Sequence, residues 1–205
     1  MKLVLATRNR GKIKEIQDIL KDLHLEILSC WDFQDLPHIT EDGETFRENA
    51  IKKAESVSRQ TGFPSLADDS GLEIEALRGK PGIYSSRFAG PEGNDTQNVE
   101  KVLRLMRNVP MDQRQARFRC VMALALPHEV TQTVEGRCDG LIALEPKGST
   151  GFGYDPIFII PAYGKTFAEL GEGVKNKISH RAQALALARS LIIEKLKLVT
   201  HHSPH

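Results

Sequence analysis

Leu3-Val4-Leu5-Ala6-Thr7-Arg8-Asn9-Arg10-Gly11-Lys12, close to the start of the chain, moves from an apolar run into a polar turn. Ile13, Ile16, Leu20 and Leu23 then recur at helical spacing, with Lys and Asp on the other face, and Leu25 to Leu28 is a second short run. A short apolar run bounded by turn formers reads as a buried strand, and the 3.6-residue period reads as an amphipathic helix. Strand, loop, helix and strand in that order make a βαβ unit, since two parallel strands need a crossover between them. The spacing predicts an α/β fold with a partly parallel sheet.

Beyond this unit, the acidic loop Thr40-Glu41-Asp42-Gly43-Glu44 leads into a helix with Phe46, Ala50, Ala54 and Val57 on one stripe. Pro64 to Ala67 reads as a short strand ending at Asp68-Asp69-Ser70-Gly71. Leu72, Ile74 and Ala76 alternate with Glu73 and Glu75, the pattern of a half-exposed strand. Gly79 to Gly90 is loop-rich, and Val99, Val102, Leu103 and Met106 mark a helix. Ala116 to Leu124 and Val130 to Gly136 are expected to pair as a hairpin. The glycine-rich segment Gly148 to Gly153 precedes the apolar run Ile157-Phe158-Ile159-Ile160. Ser179 to Leu198 is predicted as a long closing helix with Ser179 as its N-cap. One domain over residues 1–198 is expected, with 199–205 as a disordered tail.

The chain has 205 residues and a formal net charge of +1 from 28 basic and 27 acidic side chains. At about 150 residues per domain, that is one domain or two joined lobes, long enough to bury a core without staples. Hydrophobic residues at 40% and charged residues at 27% exclude a disordered chain. Near-neutral charge argues against a nucleic-acid partner, although a small, highly charged ligand needs only a few local cations. Cys30, Cys120 and Cys138 lie far apart without CxxC spacing, which suits a reducing compartment. Cys120 sits in an apolar run and reads as a core side chain. Met1 to Ala6 is too short for a secretory signal, and no window reaches the ~18 apolar residues that span a bilayer. A cytoplasmic protein without a membrane partner is expected. His24, His38 and His128 lie in polar stretches and read as surface.

Four groups of residues carry candidate chemistry. Thr7 to Lys12 precedes a helix whose unpaired N–H groups favour phosphate, with Thr7 and Asn9 as neutral partners and Lys12 as a mobile cation. It lacks the Walker A spacing and also reads as an ordinary capped helix. Asp68 and Asp69 fall at the expected carboxyl end of a strand, where open α/β sheets place ligands. Neighbouring strand residues point in opposite directions, so one carboxylate can hold a metal while the other positions water. Oxygen donors without His or Cys favour Mg²⁺ over Zn²⁺, and Glu41, Glu44 and Glu48 offer further carboxylates. The same tetrad also reads as a turn. Gly148 to Asp155 brings Phe152 for stacking together with Asp155 for base N–H groups, or else forms a tight hairpin around a packed aromatic. Lys175, Lys177, His180 and Arg181 cluster at the expected start of the last helix. Cations there oppose the dipole unless a ligand neutralises them, or unless they form a solvated face.

Six ordered blocks then carry a family resemblance: Thr7-Arg8-Asn9-Arg10-Gly11-Lys12, Gly43-Glu44-Thr45-Phe46 with Glu48-Asn49-Ala50, and Ala67-Asp68-Asp69-Ser70-Gly71-Leu72, then Pro81-Gly82-Ile83-Tyr84-Ser85-Ser86-Arg87, Gly151-Phe152-Gly153-Tyr154-Asp155-Pro156 and Ser179-His180-Arg181. Over residues 1–196 the chain resembles the inosine/xanthosine triphosphate pyrophosphatases, which remove non-standard purine nucleotides from the precursor pool. The resemblance implies an α/β, two-lobed mixed fold around a long central sheet with a deep inter-lobe cleft, usually as a homodimer. It implies Mg²⁺-dependent hydrolysis of ITP, dITP and XTP to the monophosphate and pyrophosphate. By the same resemblance, the Thr7-Arg8-Asn9-Arg10-Gly11-Lys12 block binds substrate, with Thr7, Asn9 and Lys12 on the phosphates. Asp69 accepts the proton of the attacking water, and Glu41, Asp68 and Asp69 hold the metal. Phe152 stacks on the purine, with Asp155, Lys175, His180 and Arg181 reading or surrounding the base. Ser70, Gly153 and Tyr154 count among the substrate contacts. Two other readings stay open here: a pyrophosphatase of the same architecture that prefers modified pyrimidines, and a non-catalytic nucleotide sensor to which Asp68-Asp69 would be superfluous.

Overall fold

A computed structural model describes residues 1–34, 36–37, 39–91 and 93–198. The elements are β1 (Lys2–Leu5), α1 (Arg10–Leu20), β2 (Glu26–Ser29), α2 (Phe46–Thr61), β3 (Ser65–Ile74), α3 (Asp95–Leu105) and β4 (Gln115–Ala125). They continue with β5 (Gln132–Ile142), β6 (Phe158–Ile160), β7 (Lys165–Thr166), α4 (Phe167–Leu170), α5 (Glu172–Ile178) and α6 (His180–Lys195). Seven strands form one mixed sheet in the order β2-β1-β3-β4-β5-β6-β7. The chain divides into two compact units, Met1–Asp69 with Val121–Glu135 and the segment from Ala184, and Ser70–Cys120 with Gly136–Gln183. β3, β4, β5 and α6 each run from one unit into the other.

In the first unit, β1 lies parallel to β2, with Leu3 opposite Ile27, and parallel to β3, with Leu5 opposite Leu66. The βαβ expectation holds because α1 carries the chain back over this strand pair, burying Ile16 and Leu20. Asn9 caps α1, its Oδ1 accepting the Lys12 N–H at 3.0 Å. α2 starts at a reciprocal cap between Thr45 and Glu48 and stops at Gly62, whose φ of 71° lets its N–H turn back to the Ser58 carbonyl. Its stripe of Phe46, Ala50, Ala54 and Val57 is buried as the periodicity requires.

The segment Asp68-Asp69-Ser70-Gly71 departs from expectation. It is neither a turn nor a strand end, but the middle of the ten-residue β3. Turn formers stay extended here because Leu66, Ala67, Leu72 and Ile74 on either side are buried, while the polar side chains find partners on other elements. Ala76, expected in a separate second strand, lies instead in the single 3₁₀ turn Glu75–Leu77.

The second unit has an aromatic centre. The Phe118 and Phe158 rings lie 4.5 Å apart, and Phe158 stacks on Phe167 at 5.5 Å. Leu72, Ile74, Val99, Val102, Met106 and Ile157 complete this core. The hairpin strand runs on to Ile142, well past Gly136. Lys175 and Lys177 belong to a helix of their own, α5, rather than to the start of α6. Both lie in its last turn, where the dipole favours them. Ser179 accepts the Ala182 N–H at 3.1 Å, the predicted cap, and α6 stops at Lys195 instead of Leu198, with Lys197 beyond it at a φ of 50°. His24 and His128 are exposed, whereas His38 and the tail 199–205 lie outside the described residues. No helix among the described residues is long and apolar enough to cross a membrane.

Arg114 is 1% exposed and is held by backbone carbonyls. Its guanidinium donates to Met106, Val109, Ile142 and Ala143 at 2.7 to 3.0 Å. Removing this charged donor takes a partner from four carbonyls, and although Met106 keeps the Val109 N–H, the buried Ile142 and Ala143 carbonyls lose a charged hydrogen bond. Arg114→Met is therefore expected to cost about 3–5 kcal/mol in urea unfolding. A loss below about 1 kcal/mol would show that the carbonyls find other donors.

Candidate active site

Most of the predicted phosphate and metal residues lie in the first unit, on β1, α1, α2, β3 and the acidic loop. Asp68 and Asp69 are 1% and 6% exposed, so their charges need compensation. Lys12 Nζ supplies it to Asp68 Oδ2 at 3.0 Å. A second cation, Lys53, reaches Glu41 Oε1 at 2.6 Å, the Asp68 carbonyl at 2.7 Å and Asp69 Oδ1 at 3.2 Å. Burial alone would push the Lys53 ammonium down, but Asp69, Glu41 and Asp68 overcome it and hold Lys53 above its ordinary range. Burial pushes the Asp69 carboxyl up from its usual 3.8, although Lys53 and Lys12 pull against it. Asp69 is thereby a stronger base than a solvated aspartate, beside a cation that stays charged at neutral pH.

Lys53 belongs to none of the candidate groups that the sequence motifs mark. Its signal was present: it falls on the apolar stripe of α2 between Ala50 and Ala54, where an exposed lysine would not belong. Asn49 and Glu48 fix the acidic loop that carries Glu41. Asn49 Oδ1 accepts the Gly43 N–H at 2.8 Å, and Glu48 Oε2 accepts the N–H groups of Glu44 and Thr45 at 2.7 and 3.1 Å. The Thr7 to Lys12 block divides by role. Thr7 Oγ1 accepts the Asn9 N–H, Gly11 lies in the first turn of α1, and only Lys12 among the block's cations reaches a carboxylate of β3. Arg8 donates to the Leu36 carbonyl at 2.6 Å, and the exposed Arg10 guanidinium lies 5.9 Å from the centre of the Trp31 ring.

Among the described residues, no cluster of three His, Cys, Asp or Glu side chains could hold a metal on its own. Glu41 and Asp69 nevertheless converge on one ammonium, and Asp69 Oδ2 is buried without a hydrogen-bond partner. Hard oxygens of this kind suit a Mg²⁺ ion that takes one or two carboxylates and completes its shell with phosphate and water.

The predicted base-reading residues lie in the second unit. Lys175 Nζ and the Arg181 guanidinium lie 4.3 Å and 5.6 Å from the centre of the half-buried Phe152 ring. Asp155 Oδ2 accepts from Lys175 Nζ at 2.6 Å and from the Phe152 N–H at 2.9 Å, which fixes both neighbours. Gly151 makes room for that carboxylate: at its φ of 82°, a Cβ would fall 2.1 Å from Asp155 Oδ2. Arg181 donates to Ser70 Oγ at 3.0 Å. The buried His180 ring stacks on Phe118 at 4.6 Å, and the Gly153 N–H donates to Asp95. Tyr154 is buried, and its hydroxyl donates to the Ser85 carbonyl at 2.8 Å. The structure thus brings Phe152, Asp155, Lys175, Arg181 and Ser70 together, with Tyr154 beneath the loop as a support.

The sequence profile of the Ham1 family matches residues 3–191. The chain belongs to the Ham1 family. It is 52% identical over 192 residues to the dITP/XTP pyrophosphatase of Desulforamulus reducens, covering 94% of this chain and 96% of that one. Among solved structures, it is similar to a HAM1 protein from Coxiella burnetii, with a TM-score of 0.86, 43% identity, and 95% and 99% of the two chains covered. It is also similar to the Staphylococcus aureus Ham1 protein, with a TM-score of 0.85, 38% identity, and 95% and 100% covered. These Ham1 folds agree with the mixed α/β architecture expected from the sequence.

The Lys175–Asp155 pair lies at 2.6 Å, with both side chains under 5% exposed. Removing one member of such a pair leaves a buried charge uncompensated. Asp155→Asn is expected to lower the unfolding free energy by about 3 kcal/mol, measured in urea. A variant as stable as the parent would mean that water reaches Lys175.

Proposed function

We propose that this chain hydrolyses non-standard purine nucleoside triphosphates (dITP, ITP and XTP) to the monophosphate and pyrophosphate. The observation that carries the reading is the array Lys12–Asp68 and Glu41–Lys53–Asp69, with Asp68, Asp69 and Lys53 buried, in a Ham1-family chain that is half identical to a dITP/XTP pyrophosphatase. Two cations and three carboxylates collected around β3 and α2 fit a polyphosphate with a divalent ion better than they fit a neutral ligand.

Lys12 and the N–H groups at the start of α1 take the phosphates, with Thr7 and Asn9 shaping the loop. Of the expected ligands Glu41, Asp68 and Asp69, the two that converge on Lys53, Glu41 and Asp69, would hold Mg²⁺, which when bound neutralises charge on the triphosphate and its leaving group. Asp69 accepts the proton of a water attacking the α-phosphorus in line with departing pyrophosphate. Lys53 keeps Asp69 oriented and ionised in a site too buried for a lone carboxylate. In the second unit, Phe152 stacks on the purine while His180 and Arg181 offer donors to a 6-keto oxygen. Adenine presents an amino group at that position, so two donors would face each other and a buried one would lose its partner, a strong basis for rejection. A cytoplasmic homodimer goes with this reading: the dimer is what the family resemblance implies, and Cys30, Cys120 and Cys138, none of them in a disulfide, suit a reducing compartment.

Pyrophosphate release from ITP, dITP, XTP, dUTP and the standard triphosphates, with Mg²⁺ and with EDTA, tests the proposal. dITP, ITP and XTP are expected to lead, ATP to be rejected at its 6-amino group, and chelation to abolish turnover. Preference for dUTP or ATP, or full activity in EDTA, would contradict it. Asp69→Asn is expected to reduce kcat by about 10²–10⁴-fold with an unchanged far-UV circular dichroism spectrum. Protonated Asp69 cannot accept a proton, so kcat/KM is expected to fall at acid pH in the parent, and that acid limb to be lost from the residual activity of Asp69→Asn. The same acid limb in both proteins would remove Asp69 as the base.

A further inference from the structure

A loop that faces phosphate with its N–H groups must turn its carbonyls elsewhere, because a carbonyl oxygen repels the anion and a bare buried one is costly. Two such carbonyls bracket Thr7: that of Leu5, the last residue of β1, which also accepts the Thr7 N–H at 2.8 Å, and that of Arg8 in the loop before α1. Both are bonded from one short segment, the 3₁₀ turn Cys30–Asp32 that follows β2. Cys30 Sγ donates to the Leu5 carbonyl at 3.5 Å, and the Trp31 indole Nε1 donates to the Arg8 carbonyl at 3.1 Å. This turn is fixed by a reciprocal cap in which Ser29 Oγ accepts the Trp31 N–H and Asp32 Oδ2 accepts the Ser29 N–H. The Trp31 side chain is not in the core: the residue is 59% exposed, and its ring lies beside Arg10. An exposed indole does little for stability, so the bond to the loop is its main structural work.

We propose that Trp31 is a positioning residue for the phosphate loop. By fixing the Arg8 carbonyl from the side of β2, it orients the Asn9 to Lys12 backbone that meets the polyphosphate. It acts through the loop and touches no reacting atom. The inference rests on the reading of Thr7 to Lys12 as the phosphate end, and it concerns a residue outside all six blocks that carry the family resemblance.

Trp31→Phe keeps an aromatic ring on this turn, smaller than the indole, and removes the N–H that bonds the Arg8 carbonyl. It is expected to raise KM for dITP about 3- to 10-fold with kcat within about twofold and an unchanged melting temperature. A purely structural role would lower the melting temperature or the active fraction and leave KM alone. Trp31 is also the single tryptophan of the chain, so emission from the unmodified protein reports on this loop alone. Inorganic tripolyphosphate with Mg²⁺ is expected to change that emission saturably, with the midpoint moved at least about tenfold in Lys12→Ala. If dITP is hydrolysed but Trp31→Phe has the parental KM, the positioning role is wrong and the function stands. If no nucleotide is hydrolysed while tripolyphosphate still changes the emission, the proposed activity is wrong and the role of Trp31 at a phosphate loop stands. An emission that ignores tripolyphosphate overturns the positioning role.

Discussion

Lys53 places an ammonium in the interior of the first unit, where only close oxygens can keep it charged. Three oxygens from two elements meet it: Glu41 from the acidic loop, and the Asp68 carbonyl and the Asp69 carboxylate from β3. Desolvation would make either sign of charge untenable alone, so the cation and the carboxylates exist only as a set. This mutual dependence lets β3 carry two adjacent aspartates through its middle. It also places the acidic loop, which Asn49 and Glu48 pin to the start of α2. The same set gives Asp69 the environment of a base, since burial raises its proton affinity while Lys53 stays charged beside it.

The second unit repeats the principle with a different purpose. Lys175 and Asp155 neutralise one another, and the pair is tied to Phe152 through both the Phe152 N–H and the face of its ring. An aromatic ring whose own N–H and face are both held by one salt-bridged pair has little side-chain freedom left to lose, which fits the stacking role proposed for Phe152. Arg181 and Ser70 are joined in the same unit, and Ser70 directly follows Asp69 in the chain.

Periodicity and capping made much of this architecture legible in advance. The apolar runs of β1 and β2, the cap at Asn9 and the stripe of α2 are local signals, and the local signal and the packing agree. The tetrad Asp68-Asp69-Ser70-Gly71 was misread because propensity treats its residues as turn formers, whereas their partners Lys12, Lys53 and Arg181 are far away in sequence. Lys175 was assigned to the wrong helix because the break at Ser179 serves as the end of α5 and the start of α6 at once. The motifs point to Asp69, Lys12 and Phe152, whereas a lone lysine on an apolar stripe carries no motif, so Lys53 emerges only from the packing of α2 against β3. The sequence singles out Lys12 as the mobile cation of its block, but not that it reaches Asp68 across the unit or that Arg8 is held at the Leu36 carbonyl.

The central claim is chemical: a water activated at Asp69 attacks the innermost phosphorus, and pyrophosphate leaves intact. Turnover of dITP in ¹⁸O-enriched water, with the products resolved by mass spectrometry, tests it most directly. The account predicts one ¹⁸O in the nucleoside monophosphate and none in the pyrophosphate. Label in the pyrophosphate, or release of orthophosphate in its place, would contradict it.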